Sequence, residues 1–510
     1  MHLYRYQAPF YLTILLTFCV DLLLKNRKRR FTFNSFINEK FHSPYKNLLL
    51  PLFKAYALTL LVGIGKVIFS IAKKIKIMPQ KNTNLCSLTA NKTTQKASGK
   101  RTFLMTIVAL SLGMALSACQ APTTHSEHNP TVTANQTSLA QVIAKKYIIT
   151  DGHIDVPYRL ENEFENVAEH TAHGDFDFPR ALSGGLDAPF MSIYIPASLE
   201  QTGGSKALAD KLITMVEDIV NDSPDKFALA YSTTDVEENF AKGIISLPMG
   251  MENGSPIEGD LANLKHFYDR GIRYITLTHS KANHISDSSY DEARPAGGLT
   301  DFGKTLVTEM NNIGVMVDVS HISDDAFYDV MALSKTPVIA SHSSARHFTP
   351  GFERNMSDDM IKALAKNGGV IQINFGSSFI NQEAIDYGKT RKAAIEEFIE
   401  QNNVEQNSEA VAAFKAEYKI KHPYPFASLS DVLDHYDHVV KLVGIDYVGI
   451  GSDYDGVGDS LPHNLKDVAS YPNLIAGLLK RGYSEQDIAK ILSGNVMRVW
   501  QAVENYAAKH

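Results

Sequence analysis

Eight short apolar runs alternate with stretches of helical period between residues 147 and 451, and this alternation limits the fold more than any other feature. The runs are rich in β-branched residues, as is typical of parallel strands that are buried on both faces. They cover residues 147–153, 189–195, 243–251, 272–278, 314–320, 337–341, 369–375 and 446–451. Helical stretches lie at residues 205–221, 259–270, 301–313, 324–334 and 357–367. The pattern predicts an α/β fold, a TIM-type (β/α)8 barrel over residues 139–510, with its active site at the carboxyl ends of the strands.

The seventh connection of this pattern is an insertion at residues 381–428, which is charged and helix-forming. We expect it to form solvated helices, and a lid or a homodimer contact is the alternative. Near the C-terminus, Ser484-Glu-Gln-Asp487 has the pattern of a capping box that begins a helix. A last helix is predicted from Asn495 to Ala508.

Six of the eight predicted strands end on a residue that can bind a metal ion or move a proton. On the first strand, His153 and Asp155 are two positions apart, so both side chains can point to the same side. Barrel topology places all of these strand ends around one opening. The residues at the ends of the other five strands are Glu252, His279, His321, His342 and Asp453.

Nitrogen and oxygen ligands of this kind suit Zn²⁺, and less often Mn²⁺, Co²⁺ or Fe²⁺. Five candidate ligands exceed what one hydrolytic zinc ion uses, but they suffice for two ions if a carboxylate bridges them. We expect Glu252 to be that bridge, because its strand lies between the others. Two ions about 4 Å apart would share a water and turn it into hydroxide near neutral pH, a nucleophile for an amide carbonyl. The five candidate ligands are His153, Asp155, Glu252, His321 and His342.

Taken together, these motifs resemble the membrane dipeptidase (renal dipeptidase) family of zinc peptidases over about residues 145–505. The resemblance implies a binuclear zinc barrel related to the amidohydrolases. It implies that His153 and Asp155 bind one ion, that His321 and His342 bind the other, and that Glu252 bridges them. The matching segments are His153-x-Asp155, Met251-Glu252-x-Gly254, Leu277-Thr-His279-Ser280, Gly298-Leu-Thr-Asp-Phe-Gly303, Val317-Asp-Val-Ser-His321, Ser341-His-Ser-Ser344, Arg354-Asn355 and Gly451-Ser-Asp-Tyr-Asp-Gly456.

The same resemblance implies dipeptide hydrolysis and the roles of three further residues. His279 would contact the substrate and stabilise the oxyanion, and Arg354 would pair with the free C-terminal carboxylate of the dipeptide. Asp453 would carry the proton towards the leaving amine or orient the substrate amine. Tolerance of a D-residue at the C-terminal position is also implied. Asn253 departs from the family's usual glycine, and residues 281–297 and 376–428 follow no family pattern, which leaves the side-chain preference open.

Two other functions fit parts of the sequence. A deacylase or lactonase can use the same barrel, but many of those proteins have His-x-His on the first strand and a carboxylated lysine as the bridge. This chain has His-x-Asp and Glu252 instead. A peptide-binding lipoprotein with a decayed site is the second alternative, and the complete set of candidate ligands, with Arg354 and Asp453, argues against decay.

Charge separates a basic front part from an acidic body. Residues 1–118 hold 18 Lys and Arg against two acidic residues, and since the whole chain carries −6, residues 119–510 carry −22. This charge argues against nucleic-acid binding by the body. Lys100-Arg101, the 14-residue apolar run from Phe103 to Leu116, and the small residues before Cys119 resemble a bacterial lipoprotein signal. The resemblance implies acylation of Cys119 and a lipid anchor in the cell envelope, and Gln120 favours the outer membrane.

Residues 1–77 precede this signal, which leads us to expect an over-long start site, with Met78 or a nearby position as the true start. A membrane anchor formed by the apolar residues 8–24 or 47–72 is the alternative. Residues 119–138 are polar and rich in Pro and Thr, and are predicted to form a flexible tether. The three cysteines leave the processed body no intrachain disulfide and no thiolate metal site; they are Cys19, Cys86 and Cys119.

Overall fold

The computed structural model describes residues 134–510 of the chain. Cys119, the lipoprotein-type signal and residues 1–77 lie outside the described residues. The first helix of the described residues begins at Ala134, inside the segment predicted to be a tether. Within residues 134–510, no helix has both the length and the apolar character needed to span a bilayer.

Eight parallel strands form a barrel. Their order in the sheet is β1-β2-β5-β6-β7-β8-β9-β10. The barrel closes where the Asp155 N–H donates to the Tyr454 carbonyl oxygen at 2.9 Å and the Asp453 N–H donates to that of His153 at 3.1 Å. This topology confirms the predicted (β/α)8 fold. Residues 134–510 contain ten strands, which are β1 Thr150–Ile154, β2 Ala188–Tyr194, β3 Phe227–Leu229, β4 Ile245–Leu247, β5 Met249–Glu252, β6 Ile272–Thr276, β7 Met316–Asp318, β8 Ile339–Ala340, β9 Val370–Ile373 and β10 Val448–Ile450.

The run at residues 243–251 was predicted as one strand, and this prediction was wrong in one respect. Pro248 divides the run into β4 and β5, because proline has no N–H to donate to a sheet. Only β5 enters the barrel, while β4 pairs with β3 in a separate two-stranded parallel sheet. Because β3 is only three residues long, the periodicity of the sequence does not reveal it.

Helices surround the barrel, and the five predicted helices are present within about two residues of their expected bounds. The α-helices are α1 Ala134–Lys146, α2 Val156–Asn162, α3 Phe178–Gly184, α4 Leu199–Thr202, α5 Ser205–Asp222, α6 Thr233–Lys242, α7 Leu261–Asp269, α8 Asp301–Ile313, α9 Asp324–Leu333, α10 Asp358–Asn367, α11 Ser377–Ile380, α12 Gln382–Asn402, α13 Glu409–Lys421, α14 Leu429–Val443, α15 Tyr471–Lys480, α16 Glu485–Ala489 and α17 Asn495–Ala507. Short 3-10 turns lie at Ser255–Ile257, Arg346–Phe348, Ile445–Tyr447 and Val468–Ser470.

Side-chain caps fix where several of these helices begin. The predicted capping box at Ser484 and Asp487 is confirmed. This capping box begins α16, which ends at Ala489. A π-helical turn, Lys490–Gly494, then connects α16 directly to α17. The insertion forms α12 and α13, which are largely exposed and contact each other through stacked rings of Phe398 and Phe414, 4.3 Å between centroids. Exposed helices are what its composition predicted.

Candidate metal centre and substrate pocket

The candidate residues meet at the carboxyl end of the barrel. Glu252 is the last residue of β5, and the other ligand-type residues lie at the end of their strands or in the residues that follow. A cavity of about 760 Å³ opens here. His153 and His342 are fully buried behind its wall. The candidates that line the cavity are Asp155, Glu252, His279, His321 and Asp453.

Glu252 lies between two groups of candidate ligands. Its Oε2 is 3.5 Å from His153 Nε2, and Asp155 Oδ2 lies 3.4 Å from the same nitrogen. Its Oε1 is 3.0 Å from His321 Nε2 and 3.3 Å from His342 Nε2. One carboxylate therefore faces both groups, each with a different oxygen, as a bridging ligand must.

The residues present fit a divalent metal ion. His153 Nε2 and Asp155 Oδ1 are buried and have no hydrogen-bond partner within the described part of the chain. The Nε2 atoms of His321 and His342 face each other at 2.9 Å beside Glu252. Buried polar atoms normally have hydrogen-bond partners, so the unpaired atoms here favour a bound ion. Three imidazoles with two carboxylates also form a donor set that zinc prefers. Three overlapping groups of residues at this opening each bring potential ligand atoms within 4.8 Å of one another.

Hydrogen bonds behind the ligands fix the tautomers of two histidines. The Tyr274 hydroxyl donates to the Gly152 carbonyl oxygen at 3.0 Å, so it accepts from His153 Nδ1–H at 2.8 Å. The Ser341 hydroxyl donates to Asp318 Oδ2 at 2.6 Å, so it accepts from His342 Nδ1–H at 2.7 Å. The neutral form of each ring therefore presents an Nε2 lone pair to the centre.

Electrostatics keep His321, His342 and Glu252 in the protonation states that metal binding needs. Burial opposes protonation of His153, but Tyr274, Glu252 and Asp155 raise its pKa well above the usual range, so a metal ion would displace a proton there. Burial holds the pKa values of His321 and His342 well below the usual range, so both rings are neutral. Burial opposes ionisation of Glu252, but the neighbouring histidines, His153 first, hold the pKa of its carboxyl well below its usual range. A neutral imidazole and an ionised carboxylate are the forms that bind metal ions.

Asp453 has the opposite electrostatic environment. Burial, followed by the charge of Asp155, raises the pKa of its carboxyl to about 7. Its Oδ2 accepts a hydrogen bond of 2.7 Å from the Asn374 side chain. A group with a pKa near neutrality can both accept and release a proton at working pH, so Asp453 suits general acid–base chemistry.

His279 stands at the cavity wall. Its Nε2 is 3.6 Å from Glu252 Oε1, and its ring meets that of Tyr194 edge-on at 4.9 Å. Burial lowers the pKa of His279, so the ring is neutral and can donate a hydrogen bond from one nitrogen.

Arg354 is 3% exposed and lies over the ring of Phe379, at 5.2 Å. Its terminal nitrogens donate to Ser343 Oγ at 2.6 Å and to the His342 carbonyl oxygen at 2.8 Å. Among residues 138–510, its guanidinium forms no ion pair with a carboxylate, and its Nε has no hydrogen-bond partner. A buried cation without an ion-pair partner is costly, and an anionic ligand at this position would lower that cost.

The departure at Asn253 has a physical explanation. This residue has φ of 80°, in the left-handed region that favours glycine. Asparagine is among the side chains that tolerate this conformation best. Its side chain donates to the Ile195 carbonyl oxygen at 3.0 Å and accepts from Asn283 at 3.0 Å. The turn after Glu252 is therefore kept without glycine.

Several residues of the site were not predicted from the sequence. Tyr274, Ser341 and Asp318 orient the ligands, and Asn374 contacts Asp453. Ser341 and Asp318 lie inside quoted motifs, but nothing in the sequence distinguishes Tyr274 from a core tyrosine. Aromatic side chains also line the cavity, two of them from the segments that follow no family pattern; they are Tyr158, Tyr194, Tyr290 and Phe379.

Comparisons with known proteins agree with this geometry. The family model described as membrane dipeptidase (peptidase family M19) matches residues 137–510. Dipeptidase aclJ of Aspergillus oryzae is 32% identical over 387 residues, which cover 73% of this chain and 82% of that protein. Dipeptidase 3 of Mus musculus is 29% identical over 379 residues, 72% of this chain and 67% of that protein.

A solved structure gives the same result. The crystal structure of the probable dipeptidase PvdM from Pseudomonas aeruginosa matches with a TM-score of 0.63 and 27% identity, over 73% of this chain and 99% of that one. The sequence match covers the barrel and every candidate ligand. The chain belongs to the membrane dipeptidase family, peptidase family M19.

Proposed function

We propose that this M19 metallo-dipeptidase cleaves the single peptide bond of dipeptides at a centre of two zinc ions. His153 and Asp155 would hold one ion, His321 and His342 the other, and Glu252 both. The position of Glu252 carries this proposal, because one of its oxygens faces His153 at 3.5 Å and the other faces His321 and His342 at 3.0 and 3.3 Å. Zinc ions bound there would polarise the scissile carbonyl and activate a shared water as the nucleophile.

Residues around the centre would bind the dipeptide and move its protons. His279 is neutral, buried and beside Glu252, where a ring N–H can stabilise charge that develops on the carbonyl oxygen. Asp453, with a pKa of about 7, would accept a proton from the attacking water and pass it to the leaving amine.

Arg354 would restrict the substrate length. Its buried and unpaired charge suits the free carboxylate of a substrate that ends just past the scissile bond. A longer peptide or a C-terminal amide would place no charge there. We also propose tolerance of a D-residue at this end, as the family resemblance of the motifs implies.

Zinc content and a substrate panel test the proposal together. The purified protein, loaded with Zn²⁺ and dialysed, is expected to retain at least two equivalents per chain and to cleave Ala-Ala and Ala-D-Ala. The matched amide, Ala-Ala-NH₂, is expected to be cleaved far more slowly. Uncleaved dipeptides alongside hydrolysis of lactones or N-acyl amino acids would assign the chain to the deacylase alternative, and fewer than two equivalents would contradict the two-ion centre.

We further propose that Cys119 carries a lipid and anchors the enzyme to the bacterial cell envelope. The lipoprotein-type sequence before Cys119 supports this proposal. Mass spectrometry of the protein from its native membrane tests it: a diacylated chain beginning at Cys119 is expected, and a mature mass that includes residues 1–118 would contradict the anchor.

A further inference from the structure

A second group of metal-binding side chains lies outside the cavity. His347, Asp358 and His438 each offer one ligand atom, and these atoms lie within 4.8 Å of one another. His438 Nε2 is 2.7 Å from Asp358 Oδ1, and the rings of His347 and His438 stack with 4.4 Å between centroids and 19° between planes. None of the three lines the catalytic cavity.

Three separate elements bring these side chains together. His347 belongs to the short turn Arg346–Phe348 after β8, Asp358 is the first residue of α10, and His438 lies within α14. His347 is exposed and the other two are half-buried, so an ion can enter from solvent without a change in fold. The positions are held by packing, because the ring of Phe348 contacts that of His438 at 5.6 Å.

We propose that His347, Asp358 and His438 form an exterior site for one divalent transition-metal ion. Two imidazole nitrogens and one carboxylate oxygen suit Zn²⁺, Ni²⁺ or Cu²⁺ and leave coordination positions for water. They do not suit Ca²⁺ or Mg²⁺, which prefer oxygen ligands. A carboxylate beside two stacked imidazole rings supplies the charge and the lone pairs that such an ion requires.

The position of the exterior metal site links it to the chain segment that carries Arg354 and so to the substrate pocket. His347 and Asp358 lie at the two ends of the segment 347–358, which contains Arg354. An ion bound to both and to His438 would fix both ends of this segment to α14. The chain is already attached to α14 just before this segment, where His435 Nδ1 accepts from the Ala345 N–H at 3.0 Å. This consequence rests on the proposed role of Arg354, whereas the metal site itself does not.

Zinc binding by the full chain tests the site as a difference between variants. Native protein, His347→Ala, His438→Ala and Asp358→Asn are equilibrated with the same free Zn²⁺ concentration, and bound zinc is counted by elemental analysis. We expect each variant to bind one equivalent fewer than native protein, with unchanged dipeptide turnover at low free zinc. His422→Ala, which removes an exposed histidine of the insertion, is the matched control and is expected to bind as native protein does.

Because the measurement is a difference, it does not depend on how many ions the catalytic centre holds. Equal zinc content in native protein and in the His347→Ala variant would overturn the proposal, as would an equal loss in His422→Ala. His347 is exposed, so its substitution by alanine leaves the fold intact even if changes at His438 do not. Once the catalytic centre is loaded, further Zn²⁺ is expected to raise the Tm of native protein more than that of His347→Ala, and equal shifts in both would contradict the site.

Discussion

The hydroxyl of Tyr274 gives the sharpest test of how the metal centre is built. It accepts from His153 Nδ1–H at 2.8 Å and donates to the Gly152 carbonyl oxygen at 3.0 Å, and the residue is fully buried. Tyr274→Phe removes both hydrogen bonds and keeps the ring, which packs on Phe190 at 5.4 Å between centroids. The substitution therefore isolates the hydroxyl from the packing.

Two effects of different size are expected from this substitution. Each of the two buried groups left unpaired costs about 1–3 kcal/mol, so the metal-free protein is expected to lose roughly 2–6 kcal/mol of unfolding free energy. Loss of a group that orients a metal ligand typically weakens metal affinity about 10- to 100-fold, or about 1.4–2.7 kcal/mol. The affinity falls because the His153 ring is no longer held with its Nε2 lone pair towards Glu252.

Chelator competition under defined free Zn²⁺ measures the affinity, and denaturant unfolding of the metal-free protein measures the stability. Tyr436→Phe is the matched control, since Tyr436 is also fully buried but its hydroxyl has no hydrogen-bond partner within residues 138–510. That variant is expected to keep native zinc affinity. If Tyr274→Phe binds zinc as tightly as native protein, or if both variants lose affinity equally, the orienting role of Tyr274 is refuted.

Three further predictions follow from the same structure. Glu252→Ala and His321→Ala are expected to reduce dipeptide hydrolysis to the assay background, because each removes a ligand oxygen or nitrogen from the centre; full turnover by Glu252→Ala would contradict the bridge. Arg354→Ala is expected to raise KM about 10- to 150-fold with a smaller change in kcat, because the substrate loses one charge-assisted hydrogen bond. An unchanged KM would show that Arg354 does not bind the substrate. Burial raises the pKa of Asp187 to about 7, above the unfolded value of 3.8, so stability is lost as the pH rises through this window. The unfolding free energy of native protein relative to Asp187→Asn is expected to fall by roughly 2–3 kcal/mol between about pH 5 and pH 8, and a constant difference would contradict the raised pKa.

The barrel could be predicted from the sequence because its signals are local. Each barrel strand is a nearly continuous apolar run, and most helices begin at a side chain that caps the first turn, such as Ser323 and Ser357. The prediction failed at Pro248, where one apolar run serves two sheets. A run of apolar residues does not indicate which sheet its members join, since that depends on β3 and on residues distant in the chain.

The candidate ligands could be predicted for a related reason. Parallel topology places the strand ends together, so a ligand-type residue such as His321 at one strand end belongs near those at the others. Functional roles that depend on how deeply a side chain is buried were harder to predict from the sequence. The sequence did not indicate that Arg354 is buried with both terminal nitrogens occupied by Ser343 and the His342 carbonyl, because that depends on the path of the loop after β8.

The identity of a metal ligand is encoded locally, but its tautomer is encoded by contacts across the barrel. His153 is oriented by Tyr274, 121 residues away, and this contact requires a glycine at position 250. A Cβ on Gly250 would lie 1.9 Å from the Tyr274 ring, so any larger residue at position 250 would displace the hydroxyl that contacts His153. In the sequence, Gly250 is only a small residue in an apolar strand, two positions before Glu252. The strand that carries the proposed bridging carboxylate thus also makes room for the group that orients His153, and this coupling is visible only once the strands are placed side by side.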